Sequence, residues 1–378
     1  MPQVGKKILI TGKGRCNVTN TADVNEMIRR MPGNGKFLYS ALNAFDSRAI
    51  QEFFIAAGVP LKVERGGRVF PVSDKARDIV AALTHLLHKY GVKVHTAEPV
   101  REILCQDKKI CGIRTDKQTY AADKVILATG GKSYPGTGST GDGYTMAKAL
   151  GHTVTPLFPA LVPLETEEEW VKDASGLSLR NVRVTLLADG KKIADEFGEM
   201  LLAHFGVTGP IILTLSRQAA QQLRAKKTLE LGLDLKPALT NEQLEKRIER
   251  DFVKYNRKEL KNGLTDLLPG KLIEPVLDAA YLDGTRSVNS VTANERRRLR
   301  DTVKNLLLTV TRTRPLSEAI VTAGGVSVKE INPKTMESKL ISGLYLAGEI
   351  IDVDGVTGGF NLTAAFATGR AAGLWSSA

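Results

Sequence analysis

Three glycine-rich stretches carry the residue types that hold nucleotides. The first, ITGKGRCNVTN, runs from Ile10 to Asn20. Its glycines and polar side chains suit a phosphate or a cofactor, yet almost nothing precedes it that would hold it in place. The second is LAGEIID, Leu346 to Asp352, followed by Gly358-Gly359-Phe360-Asn361. A strand delivers a small pair and a carboxylate, and two adjacent glycines then open a helix. Glu349 is suited to accept a hydrogen bond from a ribityl hydroxyl. The free N–H groups of Asn361 and Leu362, with the helix dipole, favour negative charge on a reduced flavin ring. The plain alternative is a glycine-rich β–α turn without a ligand. The third stretch is VILATGG, Val125 to Gly131, whose end lets the chain pass close under a phosphate or an adenine. Alone it is weak, because many buried strands end in glycine.

A literal G-x-G-x-x-G lies at Gly136 to Gly141. The dinucleotide fingerprint needs its first glycine in the tight turn directly after a strand, so that a helix N-terminus meets the pyrophosphate. Here Lys132-Ser133-Tyr134-Pro135 intervene, and the stretch reads instead as a long active-site loop, with Asp142 close to the start of a helix Gly143–Leu150. No residue stands out as a catalytic acid or base. His204 sits in the motif HFGVTGP but reads as a structural histidine. Cys16, Cys105 and Cys111 show neither CxxC nor metal spacing, so Cys16 reads as a packed thiol, and no metal is expected.

The elements that must position these stretches follow from periodicity. Helices are expected over Arg48–Ala57 and Ala76–Tyr90, where apolar residues share a face, and from Asn361 to Ala372, after a strand and a glycine-rich loop. VKVHTAEPVREI alternates like a strand. KICGIRTDKQTYAAD reads as two hairpin strands, and Val125–Ala128 as a strand buried on both faces. From Pro156 the texture changes to short alternating runs that suggest an antiparallel sheet or small barrel. Two capping boxes, Thr240–Gln243 and Thr292–Glu295, then open helices. After Pro315 the glycine-rich texture returns. The expected division is residues 1–156 and 311–378 for a discontinuous nucleotide-binding domain, 157–237 for an inserted β-rich domain and 238–310 for a helical module.

The 378 residues carry a formal charge of +12, which favours an acidic partner or a phosphate-bearing cofactor. The densest basic run, Arg296–Arg300, has no interleaved aromatics and reads as a solvated helix face. No apolar run reaches the ~18 residues that span a bilayer, and the first residues lack the apolar core of a signal peptide. A cytoplasmic protein is the expectation.

Taken together, GKKILITGKGRCNVTN, PGNGKFLYSALNAF, GRVFPVSDKA, VILATGGKSYPGTGSTGDGY, HFGVTGPIILTLS, EAIVTAGGVSVKEI and GLYLAGEIIDVDGVTGGFNLTAAFATG resemble the BaiN/YhiN-like flavoproteins, NAD(P)/FAD-dependent oxidoreductases, over essentially the whole chain. The resemblance implies an α/β fold of the two-dinucleotide-binding-domain FAD type, interrupted by a β-barrel-like domain with a small helical module. It implies that Gly12, Gly14, Arg15, Cys16 and Asn17 line the FAD, and that Val100 meets the adenine through its backbone. Ala128, Thr129 and Gly130 would flank the nucleotide half, and Gly348, Glu349, Gly359, Asn361 and Leu362 would hold the ribityl chain and ring.

The sequence departs from the family pattern at its start. Family members begin with a strand, a G-x-G-x-x-G turn, a helix and a second strand ending in an acid, and the chain as given starts after these. The expectation is a chain truncated at the N-terminus, with a gap in the parallel sheet that weakens FAD binding. The function expected is hydride transfer between flavin and a small organic substrate, with NAD(P)H as a possible co-substrate. No nucleic-acid or membrane partner is expected. The other readings are a truncated, non-catalytic flavoprotein relic and a basic RNA-binding module.

Overall fold

A computed structural model describes residues 1–377. The fold is mixed α/β and divides into two compact units, Met1–Ala160 with Leu316–Ala378, and Leu161–Pro315.

In the second unit, strands Ser178–Ala188, Lys191–Ala203, Gly206–Thr208, Leu164–Thr166, Leu306–Thr313 and Leu229–Asp234 close, in that order, into a barrel. All the pairings are antiparallel. The period-two pattern explains it: Leu179, Val182, Val184, Leu186 and Ala188 are buried along one strand, with residues between them turned outward. The helix Pro210–Arg224 adds Ile211, Ile212, Leu215 and Ala219 to the same core. Both capping boxes form. Thr240 and Thr292 each accept the N–H three residues on, while Gln243 and Glu295 bond back. Helices Asn241–Lys254, Gly270–Ala279 and Ala293–Lys304 share one core with the barrel through Leu244, Ile248, Leu272, Leu299 and Val303. The run after Lys304, assigned in part to the helical module by periodicity, is a barrel strand.

The first unit is built from small sheets and helices. The C-terminal helix Phe360–Ser377 packs on the parallel pair Val125–Leu127 and Leu344–Leu346. The pairing uses Val125, whose N–H reaches Gly343 O at 2.9 Å, and Leu127, whose carbonyl accepts from Ala347 at 3.1 Å. In a parallel ladder this turns the amide groups of Ile126 to the opposite edge. Among the described residues no strand runs along that edge, and Ile126 is 41% exposed. The expected strand buried on both faces is therefore covered on one side only. A second departure has the same physical cause. The segment VKVHTA does not form a strand; Val92 and Val94 are exposed and the strand starts at Val100. Alternation places side chains, but a strand exists only where a neighbour takes its amides. The run Lys6–Ile10 forms a short helix, and the helices expected near 48–57, 76–90 and 361–372 appear as Ser47–Ala56, Ala76–Lys89 and Phe360–Ser377.

One buried polar link ties two loops of this unit. His152 Nδ1 lies 3.1 Å from Glu330 Oε2 and Nε2 lies 2.9 Å from Ser338 Oγ. Ser338 Oγ also accepts the N–H groups of Leu340 and Ile341. The serine is buried and its oxygen is taken up by backbone, so the arrangement is structural despite its likeness to a hydrolytic triad. Burial pushes the Glu330 carboxyl up, but bonds from Thr153 and His152 hold it below its ordinary range. His152→Ala leaves both partners short of a bond, so urea unfolding followed by circular dichroism is expected to show a loss of about 1–3 kcal/mol; an unchanged midpoint would rule the link out as a stabilising element.

Candidate cofactor site

The opening loop is built by backbone torsion. Gly12, Lys13, Gly14 and Cys16 all have positive φ, between 56° and 83°. Glycine meets this requirement without strain; Lys13 and Cys16 do not, and such outliers persist where the surroundings fix them. Cys16 N–H donates to Thr11 O at 3.0 Å, closing the loop. The Cys16 side chain is fully buried with Val18, Ile50 and Phe54, and Leu362 and Phe366 of the C-terminal helix pack on the same cluster. Burial pushes its thiol up to about 11, against a smaller opposing effect of the Thr11 hydroxyl. That suits a packed thiol.

The second glycine pair meets the first loop at close range. A Cβ on Gly359 would fall 2.4 Å from Thr19 O, and φ there is 99°. Asn20 Nδ2 donates to Gly358 O at 3.0 Å, and the hydroxyls of Thr19 and Thr363 lie 2.7 Å apart. Residues 12–20 and 358–363, over 300 positions apart in sequence, are thus one surface. The helix they open runs 18 residues from Phe360. Asn361 ties its side chain back to Gly355, whose N–H it accepts at 2.8 Å and whose carbonyl it reaches at 2.9 Å.

The third cluster forms around Glu349. Its Oε1 accepts from Thr322 N–H at 2.8 Å and from Ser133 Oγ at 3.2 Å, and its Oε2 takes Lys7 Nζ at 2.7 Å. Lys7 also donates to Ser133 Oγ at 2.7 Å. Gly130 and Gly131 pass directly beside the carboxylate, and Gly131 has no room for a Cβ, which would lie 2.8 Å from Glu349 Oε1. Gly143 packs on Thr129, and Gly348 N–H is held by Thr368 Oγ1 at 3.0 Å. Tyr144 donates to the Glu349 carbonyl at 3.2 Å, and burial pushes its phenol up. Residues 129–141 form a long glycine-rich loop with a single turn of 3₁₀-helix at Pro135–Thr137, so Gly136–Gly141 does not follow a strand directly.

Some of the expected residues are brought together: Leu362 packs on the cluster that holds Cys16, Gly359 meets the backbone just after Asn17, and Gly130 lies beside Glu349. Ala128 directly follows the parallel strand. Arg15 shares the backbone of the loop, but its guanidinium turns away. It stacks on Phe70 at 4.1 Å and bonds Glu64 and Asp74; it holds the Glu64 carboxyl below its ordinary range, and Lys62, with Arg15 after it, does the same for Asp74. Val100 starts a strand of a separate antiparallel sheet, opposite Thr115, and packs on the core shared by Leu127, Leu344 and the C-terminal helix. His204 lies in an exposed turn of the barrel, edge-on to Phe205. Lys7, Ser133 and Thr322 escaped sequence reasoning. All three lie inside the motifs, but no spacing rule joins positions 7, 133, 322 and 349.

The donor set fits a nucleotide cofactor. Asn17 Oδ1 is buried without a hydrogen-bond partner in the protein. Space in front of Gly348 is open beyond Ala365 Cβ at 3.7 Å, and in front of Gly14 beyond Leu9 O at 3.9 Å. A buried unpaired acceptor beside loops of this kind is the feature a ligand's donors satisfy.

The fold and this cluster define a Rossmann-type oxidoreductase. A family model described as the HI0933-like protein Rossmann domain matches residues 1–375, and the chain belongs to that family, the flavoproteins its motifs resemble. The chain is 35% identical over 371 residues to a 3-dehydro-bile acid delta(4,6)-reductase of Clostridium scindens, covering 98% of this chain and 89% of that one. It is 30% identical to a ribosomal RNA dihydrouridine synthase of Haemophilus influenzae, over 98% of this chain and 90% of that one. A ribosomal RNA dihydrouridine synthase of Escherichia coli is 28% identical over 94% of this chain and 85% of its own length.

Two outcomes follow. In the native protein a thiol reagent at pH 8 is expected to modify exposed Cys111 and leave Cys16 unmodified; rapid labelling of Cys16, read by peptide mass spectrometry, would show that the thiol is not packed. Gly359→Ala places a methyl against Thr19 O, so a thermal melt is expected to fall well below that of the parent, whereas Gly136→Ala, with open space around it, is expected to be tolerated; equal melts would contradict the close approach.

Proposed function

We propose that the protein is an FAD-dependent reductase that saturates a carbon–carbon double bond conjugated with a carbonyl. Two contacts support this reading: the segment that follows the buried, unpartnered Asn17 Oδ1 meets Gly358 and Gly359, and Gly130 lies beside Glu349. Gly12, Gly14 and Asn17 would line the flavin, with Cys16 as packing beneath them. Ala128, Thr129 and Gly130 would flank the nucleotide half. Gly348 and Glu349 would hold the sugar-like chain, and Gly359, Asn361 and Leu362 the ring. Arg15 would serve by fixing the loop against Phe70, and Val100 would act only through its backbone.

When bound, the flavin supplies a hydride for one carbon of the double bond, with NAD(P)H as electron source and solvent as source of the second hydrogen. The chain contributes position and electrostatics. The N-terminus of the helix Phe360–Ser377 favours negative charge in front of Asn361. The buried cluster of Cys16, Val18 and Phe54 keeps water from beneath the loop.

The relatives support the choice of reaction. One is named as a delta(4,6)-reductase, two as dihydrouridine synthases, and each name describes removal of a double bond. A small conjugated ketone is the first substrate class. The dihydrouridine synthases and the charge of +12 favour a second reading, uridine in ribosomal RNA. That reading does not run through the arginine-rich helix: Arg296 pairs with Glu249 at 2.9 Å, Arg300 with Asp301 at 2.7 Å, and Arg297 reaches Asn294.

The test is anaerobic reoxidation. FAD-loaded, chemically reduced protein is mixed with a steroid dienone or with unmodified ribosomal RNA transcript. Return of the oxidised flavin spectrum with a product heavier by one hydrogen pair is expected for one of the two. Reoxidation by dioxygen alone, with both compounds recovered unchanged, would sink the proposal.

A further inference from the structure

We propose that Lys7, held by Ser133 and Glu349, is a phosphate-recognition residue: its ammonium binds the diphosphate bridge of the dinucleotide. This rests on the FAD reading above. The starting point is an electrostatic conflict. The loop at Gly130–Ser133 and the turn at Gly348-Glu349 present backbone to the ligand, yet Glu349 places a half-buried carboxylate beside them. A diphosphate arriving at such loops meets a like charge, and away from bulk water that repulsion is strong. A cation placed between them removes the conflict.

Lys7 has the position and the free valence for this. It stands on the helix Lys6–Ile10, which runs straight into the loop Thr11–Gly14, so its backbone is fixed relative to the first glycine cluster. Its ammonium has three protons. Two are directed to Glu349 Oε2 and Ser133 Oγ, both at 2.7 Å. The third has only the Ser133 carbonyl at 3.5 Å, a stretched contact that a phosphate oxygen outcompetes. The side chain is 26% exposed, so the ammonium reaches the surface of the loop. Glu349 is in contrast saturated on both oxygens by Thr322, Ser133 and Lys7. In this arrangement Glu349 orients the lysine as well as facing the ligand, and Lys7 reads the charge of the ligand.

A lysine that merely neutralises Glu349 would matter equally to every flavin; one that binds the diphosphate would not. The experiment titrates the full chain, wild type and Lys7→Gln, with FAD and with riboflavin, by quenching of flavin fluorescence. Wild type is expected to bind both. Lys7→Gln is expected to weaken FAD by about tenfold or more while riboflavin stays within about twofold, and Lys7→Arg to restore FAD binding. Equal weakening of both ligands, or no change in either, overturns the proposal. Should Lys7→Gln not fold, Ser133→Ala removes the hydroxyl that holds the ammonium and is expected to show the same selectivity in smaller measure; equal effects on both ligands overturn the proposal there too. Wild-type protein that binds no flavin overturns the FAD reading itself, and it does so before any variant is made.

Discussion

The carboxylate of Glu349 is the constraint on which the first unit depends. It draws an N–H from position 322, a hydroxyl from position 133 and an ammonium from position 7 onto one group. Half-burying a carboxylate is costly unless its oxygens find donors. The three segments must therefore arrive together, and the glycine runs follow from that demand. Gly131 is small because Thr322 and Glu349 stand where a Cβ would be, and Gly359 because Thr19 does. What looks in sequence like loop flexibility is close packing, against side chains at Gly131 and against backbone at Gly359.

The second unit answers to a different constraint. Its strands alternate cleanly, and its ends close on themselves as a barrel. Closure removes the edge problem that open sheets face. The parallel pair of the first unit shows the open case. Leu344–Leu346 is flanked on both sides, by Val125–Leu127 and by bonds to Met336 and Ser338, whereas Val125–Leu127 is paired on one side only. The exposed valines at 92 and 94 belong to the same picture of strand-patterned sequence without a ladder to join.

The glycine motifs, both capping boxes and the long helices were legible in the sequence because each is a local signal. Period-two alternation pointed to an antiparallel sheet or a small barrel, and the family resemblance to the barrel that formed. The parts that were not legible are non-local. VKVHTA has the right alternation, but its partner decides whether it is a strand. Leu306–Thr313 continues directly from a helix, and only its pairing with Leu229–Asp234 makes it part of the barrel. Lys7 and Ser133 lie inside recognised motifs, yet their role comes from a carboxylate 342 and 216 residues away. Arg15 illustrates the reverse: its place in a cofactor loop suggested a ligand contact, and a stacked Phe70 with two carboxylates claims the side chain instead.

The central claim is that residues 12–17, 128–130 and 348–362 make one flavin site. The most direct measurement is the visible absorption spectrum of the purified chain, incubated with FAD and then desalted. Against the weakened binding expected from the sequence, the account predicts that oxidised-flavin bands remain with the protein at close to one FAD per chain, with fine structure that marks a ring out of water. A colourless protein fraction, with all flavin in the small-molecule fraction, would contradict it.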